Sequence, residues 1–201
     1  VINYGRVNGR IDGRRSGNVR LSRSYDLPND CRRRRTDELV VICIHGSNGN
    51  RCGVFTNLFP DHIGTNEHES FEEYAYWKTR LFPLCRKTVV NIDDPFSEKI
   101  IESSAGEIIR YGYDEKADYI LGQCKKVKKG NVLSMDFDVH TKDKERHFNI
   151  GIPGEINCHN ALVAVAVADA YGVSEEKIAK GLSEVFVKGR CEIIRECEDI
   201  T

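Results

Sequence analysis

The sequence predicts an α/β fold: a mostly parallel sheet with flanking helices, a small antiparallel hairpin part, and an irregular N-terminal segment. Three observations carry this. A strand–helix–strand succession runs from Gly53 to Ile92, the length of one parallel βαβ unit. Met135, Phe137 and Val139 alternate with Asp136, Asp138 and His140, the period of a half-exposed strand. Residues Val1 to Asp37 show neither helical nor strand periodicity and are rich in Gly, Asn, Arg and Ser.

The elements follow in order. Leu39-Val40-Val41-Ile42-Cys43-Ile44 is a continuous apolar run, as in a strand buried on both faces. Gly53 to Leu58 is a second strand and Thr88 to Ile92 a third. Between them Ser70 followed by Glu73 makes a capping box, and Phe71, Tyr74, Ala75, Lys78 and Phe82 keep helical spacing. Tyr119 to Val127 and Val132 to His140 read as a hairpin around Lys129-Gly130-Asn131, with Arg146 to Ile150 as a third strand. Asn157 is placed to cap a helix that runs through Ala161 to Tyr171 and stops at Gly172. Ser174 caps another, through about Val187, and Cys191 to Cys197 reads as a last strand.

Composition narrows the function classes. The 201 residues suffice for one domain, or one domain and a fragment; 40% are hydrophobic and 30% charged, ordinary for a soluble protein. A net charge of -1 gives no global attraction to nucleic acid or anionic lipid. No apolar run approaches the roughly 18 residues of a membrane span, and no signal peptide is visible at the start. There is no initiator Met, so the chain is expected to begin inside a longer frame. The eight Cys include no C-x-x-C pair, which argues against a zinc site. Most sit in apolar or strand-like runs, the pattern of free thiols in a reducing cytosol rather than of a disulfide framework.

A seam divides the chain. No Lys precedes Lys78, whereas Arg is frequent, including Arg32-Arg33-Arg34-Arg35; from Lys78 onward Lys outnumbers Arg about two to one. The segment 1–37 has three readings: a disordered basic tail, a nucleic-acid-binding arm around the Arg run, or a stretch translated in the wrong frame. Nothing aromatic is interleaved with that run, which weakens the second.

Three places could carry chemistry. Lys78 falls on the apolar stripe of its helix, either as a Lys whose stem packs while the ammonium reaches water, or as a paired, deprotonated or modified amine. Thr56 to His62 follows a strand, so its polar residues fall at the carboxyl end of a parallel sheet, where open α/β folds bind ligands. Asp61 and His62 there could serve a metal ion. Asn91-Ile92-Asp93-Asp94 is a second polar cluster at a strand end, suited to a base or ribose, or simply a turn before Pro95.

Together these residues resemble the central domain of the Mur ligases. The resemblance rests on Val54-Phe55-Thr56-Asn57-Leu58 with Asp61-His62, on Phe71-Glu72-Glu73-Tyr74 with Lys78, and on Asn91-Ile92-Asp93-Asp94. It continues through Gly154-Glu155-Ile156-Asn157-Cys158-His159-Asn160-Ala161 and Gly189-Arg190-Cys191-Glu192, and covers about Val54 to Glu192. The stretch Asp61-His62-Ile63-Gly64 to Glu67-His68 is most similar to ligases that add the third amino acid to UDP-N-acetylmuramoyl-dipeptide.

The resemblance implies an ATP-dependent, Mg²⁺-requiring ligase domain of peptidoglycan synthesis, cytoplasmic and not membrane-bound. Its partners would be a UDP-N-acetylmuramoyl-peptide and an amino acid, with no part for nucleic acid. It implies that His62 helps hold Mg²⁺ and that Lys78 is carbamylated, an anion that also positions the metal. Asn91, Asp93 and Asp94 would contact adenine and ribose, Asn157 and Asn160 would form another nucleotide-binding motif, and Arg190 would reach the ATP phosphates. The chemistry would be amine attack on an acyl phosphate.

Departures qualify it. A Gly-rich phosphate loop ending in Gly-Lys-Thr should open such a domain, and Gly46-Ser47-Asn48-Gly49-Asn50 has no Lys and lies on the wrong side of the first strand. Cys43, His45 and Gly46 stand where the family has a Glu and two Ser. The expected division is therefore an Arg-rich segment, 1–37, and a partial central domain, 38–201, with the family's N- and C-terminal domains outside it. A frameshift near Arg51 is the expected cause, and the chain alone is expected to be inactive. A folylpolyglutamate-synthase-like ligase fragment and a non-catalytic nucleotide-binding module remain as alternatives.

Overall fold

The computed structural model of the chain describes residues 20–21, 41–45, 51–58, 70–129 and 132–186. Contacts divide the chain into two units, residues 1–110 and 111–201.

In the first unit a two-residue strand, β1 (Arg20–Leu21), interrupts the segment expected to be irregular and pairs antiparallel with β2 (Val41–His45). β2 covers most of the apolar run and pairs antiparallel with β3 (Arg51–Phe55), from Val41↔Phe55 to His45↔Arg51. The expected βαβ unit follows: β3, then helix α1 (Phe71–Thr79), then β4 (Lys87–Asn91), with β3 and β4 parallel from Cys52↔Lys87 to Phe55↔Val90. Residues 52–56 and 88–91 are all buried, as near-continuous β-branched and aromatic runs must be when both faces are covered.

Ser70 starts α1 as its capping box predicts. Its backbone is extended, and its hydroxyl accepts the Glu73 amide at 3.1 Å. The helix does not run on to Phe82. It ends at Thr79, and Phe82–Leu84 form a separate 3₁₀ helix, because Pro83 has no amide to continue an α-helical ladder. Phe82 still reaches the core, fully buried with Phe55, Leu58, Ala75, Val90 and Ile100. Gly53 makes room for it, since a Cβ there would lie 2.9 Å from the Phe82 ring.

Besides β1 and the 3₁₀ turn, the sequence does not predict α2 (Ser97–Ser103) or β5 (Glu107–Gly112). β5 starts beside β4, where the Glu107 amide donates to the Arg86 carbonyl at 2.8 Å. Gly106 permits that approach, since a Cβ there would sit 2.3 Å from the same oxygen.

In the second unit the end of β5, Tyr111 and Gly112, pairs in parallel with the start of β6 (Tyr119–Lys129). β6, β7 (Val132–Thr141) and β8 (Glu145–Ile150) then form the expected antiparallel meander. Lys129 pairs with Val132, so it belongs to the strand rather than to the turn. Met135, Phe137 and Val139 are buried on β7, and Arg146, Phe148 and Ile150 on β8. Helix α3 (Glu155–Ala170) covers β6 and β7 with Cys158, Ala161, Leu162, Val165 and Ala166, all buried. Helix α4 (Glu175–Ser183) packs on β8 through Ile178 and Leu182.

Helix ends correct the sequence reading in two places. The residue that begins α3 is Gly154, at φ +112°, not Asn157; Asn157 lies inside the first turn, and its Nδ2 donates back to the Pro153 carbonyl at 2.8 Å. A Pro-Gly pair sets this entry, because only glycine takes such a φ without strain. α3 stops as expected, with Gly172 at φ +70°. Ser174 stands at the N-cap position of α4, but its hydroxyl makes no cap bond there, and α4 ends at Ser183 and not near Val187. The strand read at Cys191 to Cys197 lies outside the described residues.

A buried ion pair ties β8 to the end of α3. Arg146, 4% exposed, forks onto Asp169 at 3.0 and 2.5 Å, with its guanidinium 5.5 Å from the centre of the Phe148 ring. The Tyr119 phenol joins this group, and burial, followed by the Asp169 charge and hydrogen bond, pushes its pKa up to about 12. Cys52, Cys85, Cys124 and Cys158 are free thiols. Among the described residues no helix is long and apolar enough to cross a membrane.

Candidate functional site

The polar residues that could do chemistry in the first unit gather where β3 and β4 end side by side. The strands are parallel, so their carboxyl ends fall together, and each ends in hydrogen-bonding residues: Thr56 and Asn57 after β3, Asn91 to Asp94 after β4. Asn91 is 7% exposed. Its Nδ2 donates to the Thr56 carbonyl at 2.7 Å and its Oδ1 accepts the Asp93 amide at 3.0 Å. The second bond is an Asx turn, the local contact that Asn forms two residues ahead of itself. Asp94 is equally buried. One carboxylate oxygen accepts the Leu58 amide at 3.0 Å and the other the Phe96 amide at 2.8 Å. Asp93 between them is exposed, and Asn57 is half-buried.

The structure thus brings together Asn91, Asp93 and Asp94, three of the residues the sequence singles out, and joins them to the main chain at Thr56 and Leu58. Those main-chain partners were not foreseen. The Asn-x-Asp spacing announces the Asx turn, but the reach to a segment 35 residues earlier depends on strand pairing.

Other candidates divide between the units. Lys78 falls in the last turn of α1, as expected of a helical residue, although its side chain lies outside the described structure; His62 and Arg190 lie outside it altogether. In the second unit Asn157 and Asn160 are three residues apart on α3, so they share a face. Asn160 is exposed, and Asn157 holds the Pro153 carbonyl. Beside them the His159 imidazole is flanked by two rings, Tyr111 and the exposed Tyr113, each with its centre 5.3 Å away. Neither tyrosine was singled out from sequence. On the buried side of the same turn, burial pushes the Cys158 thiol up to about 12 and raises that of its hydrogen-bonding partner Cys124, so both stay protonated and unreactive. Among the described residues no group of three or more His, Cys, Asp or Glu could hold a metal ion.

Comparison with known proteins agrees with this architecture. Residues 49–168 match the Mur ligase middle domain. A UDP-N-acetylmuramoyl-L-alanyl-D-glutamate–2,6-diaminopimelate ligase from Caldanaerobacter subterraneus is 40% identical over 147 residues, 73% of this chain and 29% of that protein. The ligase 1 of the same description from Clostridium acetobutylicum is 37% identical over 143 residues, 71% of this chain and 28% of that protein. A crystal structure of MurF from Acinetobacter baumannii superposes with a TM-score of 0.61 at 26% identity, covering 73% of this chain and 32% of its own. The chain therefore spans under a third of the length of the relatives it matches. Within that span the match runs from residue 49 through β3, the α1 helix, both strand-end clusters and most of α3, and on it the chain belongs to the Mur ligase family, as a form of its middle domain.

Proposed function

We propose that this chain is the nucleotide-handling part of an ATP-dependent ligase that joins an amino acid to a UDP-N-acetylmuramoyl-peptide in peptidoglycan synthesis, in the cytoplasm. The observation that carries the reading is the meeting of two polar strand ends at β3 and β4, the place where open parallel sheets bind ligands, in a chain of this family. The relatives' activity on a diaminopimelate-accepting muramoyl-dipeptide supports the third amino acid as the one added.

In this reading Asn91, Asp93, Asp94, Asn157 and Asn160 serve the nucleotide and Arg190 its phosphates. His62 and a carbamylated Lys78 serve Mg²⁺, which when bound would offset charge on the transferring phosphoryl group. The protein's own part is to orient the nucleotide and the acyl group for in-line transfer. A lysine that the sequence places on the apolar stripe of its helix suits carbamylation, since a buried ammonium is costly and the carbamate is an anion a metal can hold. Residues 1–50 carry no Gly-Lys-Thr phosphate loop, so the chain by itself should bind nucleotide weakly and not turn over. The family match begins at residue 49, downstream of the Arg-rich, unpatterned segment, which supports a change of reading frame upstream of that point.

Calorimetry with MgATP tests the reading, alongside a ligation assay with UDP-N-acetylmuramoyl-L-alanyl-D-glutamate and diaminopimelate. Heat of binding without product is expected. No binding at millimolar MgATP refutes the nucleotide role, and product formation refutes the inactivity. For the frame, translating the coding DNA across codons 1 to 55 in all three frames should restore Gly-Lys-Thr and Glu-x-Ser-Ser residues. If no frame does, the N-terminal segment is native to this protein.

A further inference from the structure

We infer that Asn91 and Asp94 are positioning residues: together they fix the two peptide units on either side of Asn57 and so set how the end of β3 presents that side chain. The Thr56 carbonyl belongs to the peptide unit before Asn57, and Asn91 Nδ2 donates to it at 2.7 Å. The Leu58 amide belongs to the unit after Asn57, and it donates to Asp94 Oδ2 at 3.0 Å. Peptide units are planar, so holding one atom of each narrows the φ and ψ open to Asn57. Each clamping side chain is itself held, Asn91 by the Asp93 amide and Asp94 by the Phe96 amide. Both clamping residues are 7% exposed, so water competes little for these bonds.

The clamp assigns different work within one short motif. Asn91 and Asp94 act through the main chain of the neighbouring strand, while Asn57, half-buried, and Asp93, exposed, are the side chains it sets in place. Only the consequence for nucleotide binding rests on the proposed function. The clamp itself stands on the four hydrogen bonds.

Amide hydrogen exchange on the full chain tests the clamp, with Asp94→Ala and Asp94→Asn compared to wild type. In Asp94→Ala, exchange at Leu58 and Phe96 should rise by about ten- to a hundredfold, the factor for losing a hydrogen bond to a charged acceptor. Val54 and Val89, inside the β3–β4 pair, should keep their protection. Asp94→Asn retains one carboxamide acceptor and should protect only one of the two amides. Unchanged exchange at Leu58, or a rise equal to that at Val54 and Val89, overturns the clamp. MgATP calorimetry on the same variants reads the consequence. If wild type binds, affinity should fall in Asp94→Ala and partly recover in Asp94→Asn; equal affinity in all three overturns the positioning role. If wild type does not bind, the nucleotide reading fails, and amide exchange still decides the clamp.

Discussion

Asp94 in the first unit and Arg146 in the second are both buried charges, 7% and 4% exposed, and they are satisfied in different ways. Asp94 takes its hydrogen bonds from two backbone amides, at Leu58 and Phe96. Arg146 donates its own to another side chain, the carboxylate of Asp169. A backbone amide survives every substitution except one to proline, so the first arrangement depends chiefly on Asp94. A side-chain partner can be removed, so the second fails if either residue changes. The same contrast separates the purposes: one charge holds a loop beside the candidate site, the other locks a helix end onto a sheet.

The largest expected effect concerns whether the two units stand or fall separately. Phe82→Ala and Phe137→Ala each empty a fully buried site, one per unit, and should each lower stability by about 3 to 5 kcal/mol. Urea unfolding followed by Trp77 fluorescence, which reports on α1, and by far-ultraviolet circular dichroism should show Phe137→Ala displacing the second signal more than the first. If both variants move one common transition equally, the units are not independent.

Asp169→Asn comes next. It leaves the Arg146 guanidinium buried without its anion, at a cost of about 3 kcal/mol. Replacing Arg146 and Asp169 together by Met and Leu should restore most of that loss. A single variant as stable as wild type would remove the pair from any structural role.

Alkaline pH should weaken the second unit selectively. The folded-state pKa of Tyr119 is about 12, above the ordinary 10, so its contribution is complete below pH 10 and is lost as pH rises toward 12. Cys158, raised from 9 to about 12, adds a loss that begins earlier. Stability measured from pH 8 to 11 should fall less steeply in Tyr119→Phe than in wild type; identical slopes would show that the phenol contributes nothing. The smallest effect is Ser70→Ala. It removes the cap on the Glu73 amide and should cost about 1 kcal/mol in the first unit, with no change in the second.

What could be read from sequence follows the range of the forces involved. The βαβ unit, the Ser70 cap and the alternation on β7 are local patterns, and each is found in place. α2 is only seven residues long, and β5 is set by the close approach of Gly106 to Arg86, so neither leaves a periodic signature. At the strand ends Asn91, Asp93 and Asp94 were visible as candidates, because polar residues directly after a buried strand are conspicuous. That two of them turn inward to the Thr56 and Leu58 backbone was not, since it needs the parallel register of β3 and β4. Asn157 was misread as a cap because its residue type suits one, whereas the positive φ of Gly154 starts the helix earlier.

The bonds from Asn91 and Asp94 bear on the thermodynamics of binding. A loop that orders only when its ligand arrives surrenders conformational entropy at that moment, and affinity suffers by that amount. Here the main chain around Asn57 is already immobilised by buried partners, so that entropy was given up when the chain folded. A ligand meeting these strand ends should therefore bind with little heat-capacity change beyond the area it covers, the signature of a preorganised surface rather than of folding coupled to binding.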